Sequence, residues 1–209
     1  LFALHASATP ALDYLRVLRS QISASSSQIP TMTSAADEAA KRVLAGGQFF
    51  VGGTQGEFAA ECTERAGGLK ITTPLGDRTP AAGDVVLFGV RGAIDSATGQ
   101  KLAKWSDAGT QVVLFGHGGG MIVKHLNSDT WIDCGEADGL HVGGKICPTD
   151  TVVNLANAWA FTGEFIAACT RRGKMPLIYE SYGLPGRCEP AAQFAKITFH
   201  DALKIAPIA

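Results

Sequence analysis

The sequence predicts an α/β protein whose parallel sheet is covered by helices on both faces. Three observations predict it. Residues 48–51, 84–88 and 111–115 are short, nearly continuous apolar runs. They lack the alternation of a sheet with one wet face. Helical spacing fills the intervals between them, and glycines close almost every segment, which is the punctuation of βαβ units.

In chain order, residues 11–22 carry Leu12, Leu15, Leu18 and Ile22 on one helical stripe, with Asp13 and Arg16 off it. The serine-rich stretch 23–30 reads as a polar break. A second helix is expected to open at residues 33–38, with Ser34 as N-cap and Asp37 and Glu38 favourable in the first turn. Gly46-Gly47 ends it. A first strand then leads to Gly52-Gly53, and a helix over 58–66 stops at Gly67-Gly68. The second strand, 84–88, runs into Gly89 to Gly92. A helix over 98–108 ends at Gly109, and the third strand, 111–115, runs into Gly116 to Gly120. Residues 130–133 read as a fourth strand. A long helix over 151–172, with Val152, Leu155, Ala156, Trp159, Phe161, Phe165 and Ile166, ends at Gly173. No tandem repeat is present. The one candidate boundary separates a helical extension, residues 1–30, from an α/β domain, residues 31–209.

Composition narrows the function. The chain has 209 residues, 46% of them hydrophobic, enough for a sizeable core without disulfides or metals. Eighteen basic residues against nineteen acidic ones leave a formal charge of -1, so no long-range attraction draws nucleic acid or an acidic membrane. The five cysteines (Cys62, Cys134, Cys147, Cys169, Cys188) include no CxxC pair. They read as small core residues in a reducing compartment rather than a zinc or redox motif. No run is long enough to span a membrane. Residues 1–8 end Ala-Ser-Ala and resemble the tail of a signal peptide without its basic start. The expected location is cytoplasmic, with an exported form as the alternative. No metal or cofactor is expected.

In an open parallel sheet, ligands bind beyond the carboxyl ends of the strands. Here those ends are Gly52-Gly53-Thr54-Gln55-Gly56, Gly89-Val90-Arg91-Gly92 and Gly116-His117-Gly118-Gly119-Gly120. Glycines there either let backbone N–H groups reach an anion, helped by the helix N-termini that follow, or simply make tight turns. Nucleotides are weak candidates. The third loop lacks the last spacing of GxGxxG, and there is no GxxxxGK[ST], HExxH or GxSxG.

Residues 52–68 resemble the first loop and helix of the sugar isomerase (SIS) domain family, in particular its uncharacterised phosphosugar-binding members. Glu61 followed by Arg65-Ala66-Gly67-Gly68 matches their pattern. Pro148-Thr149-Asp150-Thr151 resembles their Pro-Thr-Ser-Thr helix opening. Met175-Pro176 with Ser181-Tyr182-Gly183-Leu184-Pro185-Gly186 resembles their C-terminal strand and loop. The order of elements matches over residues 33–186. The resemblance implies a three-layer, flavodoxin-like sheet of about five strands, phosphosugar binding at the strand ends, and a homodimer or homotetramer. The apolar first helix is a candidate for packing across subunits.

Gly53, Thr54, Gln55, Arg91, Gly92, Thr149, Asp150 and Thr151 are the binding residues so implied. The second loop departs from the family's Ser-x-Ser-Gly. Arg91 can substitute a charge-assisted fork suited to phosphate or carboxylate. Glu61 is the candidate base for moving a proton between adjacent sugar carbons, against the plainer reading of a surface carboxylate paired with Arg65 one turn on. His117 and His141 are the candidate proton donors, each equally readable as a loop histidine bonded to backbone. Thr149, Asp150 and Thr151 also fit a plain helix cap. Glu180, Ser181 and Tyr182 are secondary candidates. Trp105, Trp131 and Trp159 read as packing residues.

Three functions follow as expectations. The first is an enzyme on a phosphorylated sugar, most simply an aldose–ketose isomerase. The second is a sensor that binds a sugar phosphate without turning it over. The third is an enzyme on an unphosphorylated or oxidised sugar.

Overall fold

The computed structural model describes residues 9–54, 56–63, 65, 68–117, 130–135, 139–142 and 145–179. Helix α1 (Pro10–Ala24) passes through a 3-10 turn (Ser25–Gln28) into α2 (Ile29–Leu44). Then come β1 (Phe49–Gly53), α3 (Gly56–Thr63), β2 (Thr72–Pro74), β3 (Val85–Gly89), α4 (Ser96–Asp107), β4 (Gln111–Gly116) and β5 (Thr130–Asp133). A short hairpin, β6 (Leu140–Val142) and β7 (Lys145–Cys147), precedes α5 (Asp150–Arg171).

The five-stranded sheet has the order β2-β1-β3-β4-β5, every pair parallel. This is the flavodoxin-like order, with its switch point between β1 and β3. Its central strands β1, β3 and β4 are mainly apolar because each face is dry there. Phe49, Val51, Val85, Leu87, Val113 and Phe115 point into a core with α2, α3 and α5. The alternate positions Phe50, Val86, Phe88, Val112 and Leu114 pack with Leu102 and Trp105 of α4. That is the period of two of a strand, realised on two covered sides, and it gives three layers.

The junction before α2, the edge strand β2 and the β6–β7 hairpin differ from the sequence expectation. The serine-rich stretch is not a break, and α2 starts at Ile29, so Ser34 lies inside the helix rather than capping it. Pro30 sits in the first turn, where its missing N–H has no intrahelical partner to lose. The hydroxyls of Ser26 and Ser27 turn back onto the carbonyls of Ser23 and Ala24, which satisfies the junction internally. Strand β2 was not anticipated. It has three residues and lies at the sheet edge, too short to show periodicity. On α5, Val153, Phe161, Phe165 and Ala168 are buried, whereas Val152 is 41% exposed.

Asp37 ties α2 to the end of α5. Its carboxylate accepts from Arg172 at 2.8 Å and pairs with Lys41 at 3.2 Å. These cations hold its carboxyl at about 2, below the ordinary 3.8. Helix α1 lies against α5 and β6, with the Tyr14 hydroxyl donating to the Pro148 carbonyl, and leaves Leu12, Leu15 and Ile22 exposed. No helix among the described residues is long and apolar enough to cross a membrane.

Candidate functional site

The strand-end glycines have a steric cause within the protein. A Cβ built on Gly89 would lie within 2.8 Å of three Phe58 ring atoms. One on Gly52 would meet Leu75 Cδ2 at 2.8 Å, and one on Gly116 would meet Val90 Cβ at 2.8 Å. Glycine at each strand end therefore lets the next segment fold down over the sheet. Gly92 is a different case: its φ of +66° is a left-handed turn that other residues rarely adopt. Gly56 has neither cause. Nothing lies within 4 Å of a Cβ built there, and the residue faces a cavity.

Thr54 organises the loop after β1. Its N–H continues the parallel ladder to the Gly89 carbonyl at 2.9 Å. Its Oγ1 accepts from the Arg91 N–H at 3.0 Å, so the hydroxyl proton stays available to a ligand. Thr54 separates two cavities.

The larger cavity, about 500 Å³, opens beside the switch point between the ends of β1 and β2 and the first turns of α4. Gly53, Thr54 and Gly56 form one side and Thr98, Lys101 and Trp105 the other. Thr98 is fixed because its N–H caps onto Asp95 Oδ1 at 2.7 Å. The hydrogen bonds from Thr98 hold the Asp95 carboxyl below its ordinary value. Lys101 Nζ stands 5.0 Å over the Trp105 ring, a cation–π contact, and makes no ion pair among the described residues. The described lining carries one cation, two threonine hydroxyls and no carboxylate, so its electrostatics favour an anion.

The second cavity, about 20 Å³, is lined by Thr54, Glu57, Arg91, Thr151 and Asn154, among others. That is room for a water molecule rather than a phosphate group. Asn154 donates from Nδ2 to the Val90 carbonyl at 2.8 Å, while its buried Oδ1 has no partner among the described residues. Arg91 Nε lies 3.9 Å from Asp150 Oδ1, which accepts from the Thr151 N–H at 2.8 Å.

No protein-family model matches the chain, and no curated protein does either.

The structure therefore divides the sequence-predicted residues. Gly53 and Thr54 line the larger cavity, and Thr54, Arg91 and Thr151 the smaller one, with Asp150 behind Arg91. Thr149 occupies the N-cap position of α5 but makes no capping bond. Its buried Oγ1 has no partner among the described residues. Glu61 lines neither cavity and pairs with Arg65 at 2.8 Å. His117 also lies off both. Its Nδ1–H donates to the Gly135 carbonyl. His141 is not in a loop: it belongs to β6 and pairs across the hairpin with Ile146. Gln55, Gly118, Gly119, Gly120, Glu180, Ser181 and Tyr182 lie outside the described residues.

Sequence reasoning missed Glu57, Thr98, Lys101 and Asn154. Glu57 was findable, because it shares the helical face of Glu61 one turn nearer the loop. Lys101 was not, since it looks like any solvated lysine until α4 is laid over the sheet. Among the described residues, no three His, Cys, Asp or Glu side chains gather as a metal site.

Proposed function

We propose that this chain is a phosphosugar-binding protein of the sugar isomerase (SIS) type, taking its ligand into the larger cavity. One observation carries the reading. A cavity of about 500 Å³ opens at the ends of β1 and β2, beside the switch point of a flavodoxin-like sheet, with Lys101, Thr54 and Thr98 on its walls and no carboxylate in its described lining. It has the volume for a ligand of sugar size, and its polar groups are those that hold a phosphoryl oxygen. Gly56 leaves space that any side chain would fill.

For aldose–ketose isomerisation, a base must take the proton from the carbon beside the carbonyl. Glu57, in the smaller cavity across Thr54 from the larger one, fits that role better than Glu61, for a ligand that reaches past Thr54. It is the one carboxylate in the described lining of the two cavities, whereas Glu61 is engaged by Arg65.

The test is a thermal-shift panel of sugar phosphates, free sugars and inorganic phosphate, followed by deuterium exchange at the sugar C2 position. A sugar phosphate at a hundred times its Kd adds about 2.7 kcal/mol, a rise of roughly 5–10 °C for a domain of this size. Glu57→Gln is expected to keep that shift and lose exchange, and Glu61→Gln to keep both. A panel in which no sugar phosphate raises Tm overturns the reading, and a response to free sugars alone redirects it to an unphosphorylated substrate.

A second reading, a sensor without turnover, draws on the engagement of Glu61 and His117 away from both cavities. Binding without any C2 exchange in the wild-type protein selects it.

A further inference from the structure

The smaller cavity is lined by a buried acceptor that the described residues do not satisfy. Asn154 is 3% exposed and forms part of its wall. Its Nδ2 donates to the Val90 carbonyl at 2.8 Å, which fixes the orientation of the amide. Its Oδ1 is buried and has no partner among the described residues. The polarity is not a surface accident. Asp150, Asn154 and Asn157 stand at i, i+4 and i+7 of α5 and are all buried, so they share one face of a helix that otherwise packs Ala158, Phe161 and Phe165 into the apolar core. An unsatisfied buried amide costs stability, and a leucine of similar size would avoid that cost.

The lining defines the partner that suits it. An amide oxygen only accepts, so the partner must donate. The cavity, about 20 Å³, has room for a single water-sized group. Its described lining holds both Arg91 and Glu57, so Arg91 disfavours an ammonium and Glu57 disfavours an anion. A neutral donor of one heavy atom remains, which is a hydroxyl, either of water or of a bound ligand. Thr54 lines both cavities, so a ligand in the larger one has the smaller one as its neighbour across a single residue. We infer that Asn154 is a specificity-determining residue: its Oδ1 accepts from one hydroxyl of the sugar, which takes the place of water there. This inference rests on the phosphosugar reading and names the part of the substrate that is selected. It also brings the carbon bearing that hydroxyl toward Glu57, the carboxylate of the same cavity.

Two measurements test it. Calorimetric titration compares glucose 6-phosphate with its 1-deoxy, 2-deoxy, 3-deoxy and 4-deoxy analogues, on the wild type and on Asn154→Leu. The ratio of affinities is taken within each protein, so a structural loss caused by the substitution cancels. One analogue is expected to bind the wild type about tenfold or more weakly than glucose 6-phosphate, because it leaves the buried oxygen unpaired. That gap closes in Asn154→Leu. Analogues that all match glucose 6-phosphate on the wild type overturn the inference and leave phosphosugar binding intact, since Oδ1 then holds water only. A gap that persists in Asn154→Leu also overturns it, because the hydroxyl is then read elsewhere. A crystal structure of the wild type with glucose 6-phosphate needs no variant, and is expected to place a sugar hydroxyl within hydrogen-bond distance of Asn154 Oδ1. A water on Oδ1 with the sugar phosphate seated in the larger cavity overturns this inference alone. Failure of glucose 6-phosphate to bind the wild type overturns it too, and the phosphosugar reading falls with it only where the whole thermal-shift panel of sugar phosphates is silent.

Discussion

Replacing Gly89 by alanine separates the two meanings that a glycine-rich strand end can have. The added Cβ would fall within 2.8 Å of three atoms of the Phe58 ring, where carbon–carbon contacts settle at roughly 3.5–4.0 Å. The nearest ring atom, Cγ, would lie at 2.3 Å, so the ring must retreat by about 1.2 Å or more. It has little room, since Phe58 is 5% exposed and its ring sits 5.6 Å from that of Phe115, which in turn meets Phe161 at 6.0 Å. Strain of this kind costs about 2–3 kcal/mol, the upper part of the range for overpacked cores. For a domain of this length that lowers Tm by roughly 4–12 °C. Thermal and urea unfolding of Gly89→Ala, Phe58→Leu and the double variant measure it. In the Phe58→Leu background the alanine should cost at least ~1 kcal/mol less, a coupling expected only of residues in contact. A Gly89→Ala protein within ~0.5 kcal/mol of wild type, or an equal penalty in both backgrounds, refutes the packing argument. If that stable variant also lost ligand binding, Gly89 would be reassigned to the ligand.

Further outcomes follow from the same geometry. The carboxyl of Asp37 is held at about 2 in the folded chain against 3.8 ordinarily, so its stabilisation is complete above the ordinary value and fades as pH falls through about 2. Asp37→Asn should therefore lower Tm at neutral pH, with the gap to wild type closing in acid; a gap independent of pH contradicts the ion-pair account. Burial pushes the thiols of Cys62 and Cys134 up to about 12 and that of Cys169 to about 11. All three should resist alkylation at pH 8 until the protein is unfolded, and mass mapping of rapid native labelling on any of them would contradict that burial. Gly56→Ala should leave the fold intact, because its Cβ meets nothing within 4 Å, while weakening whatever occupies the larger cavity. Unchanged affinity in that variant would mean the ligand does not approach α3.

The sequence by itself determined the layer architecture. Continuous apolar runs such as Val85 to Phe88 can be buried on both sides only if helices cover both faces, and residues 98–108 carry helical spacing between two such runs. It also located the end of the sheet where the two cavities open, because loops at the carboxyl ends of parallel strands gather there, and Thr54 and Arg91 line those cavities. It missed the start of α2 because serine and proline are ambiguous at a helix junction, and β2 because an edge strand of three residues carries no period. What only the tertiary structure decided is which side chains share a cavity. Glu61 and Arg65 lie four apart on one helix, so their pairing was legible. Lys101 and Thr54 lie 47 positions apart, on α4 and the loop after β1, yet line one cavity, and local pattern has no access to contacts made by folding one wall against another. The glycines show the same division: a Gly at the end of β3 was visible, but its cause, the ring of Phe58 descending from α3, exists only once helix and strand are packed together.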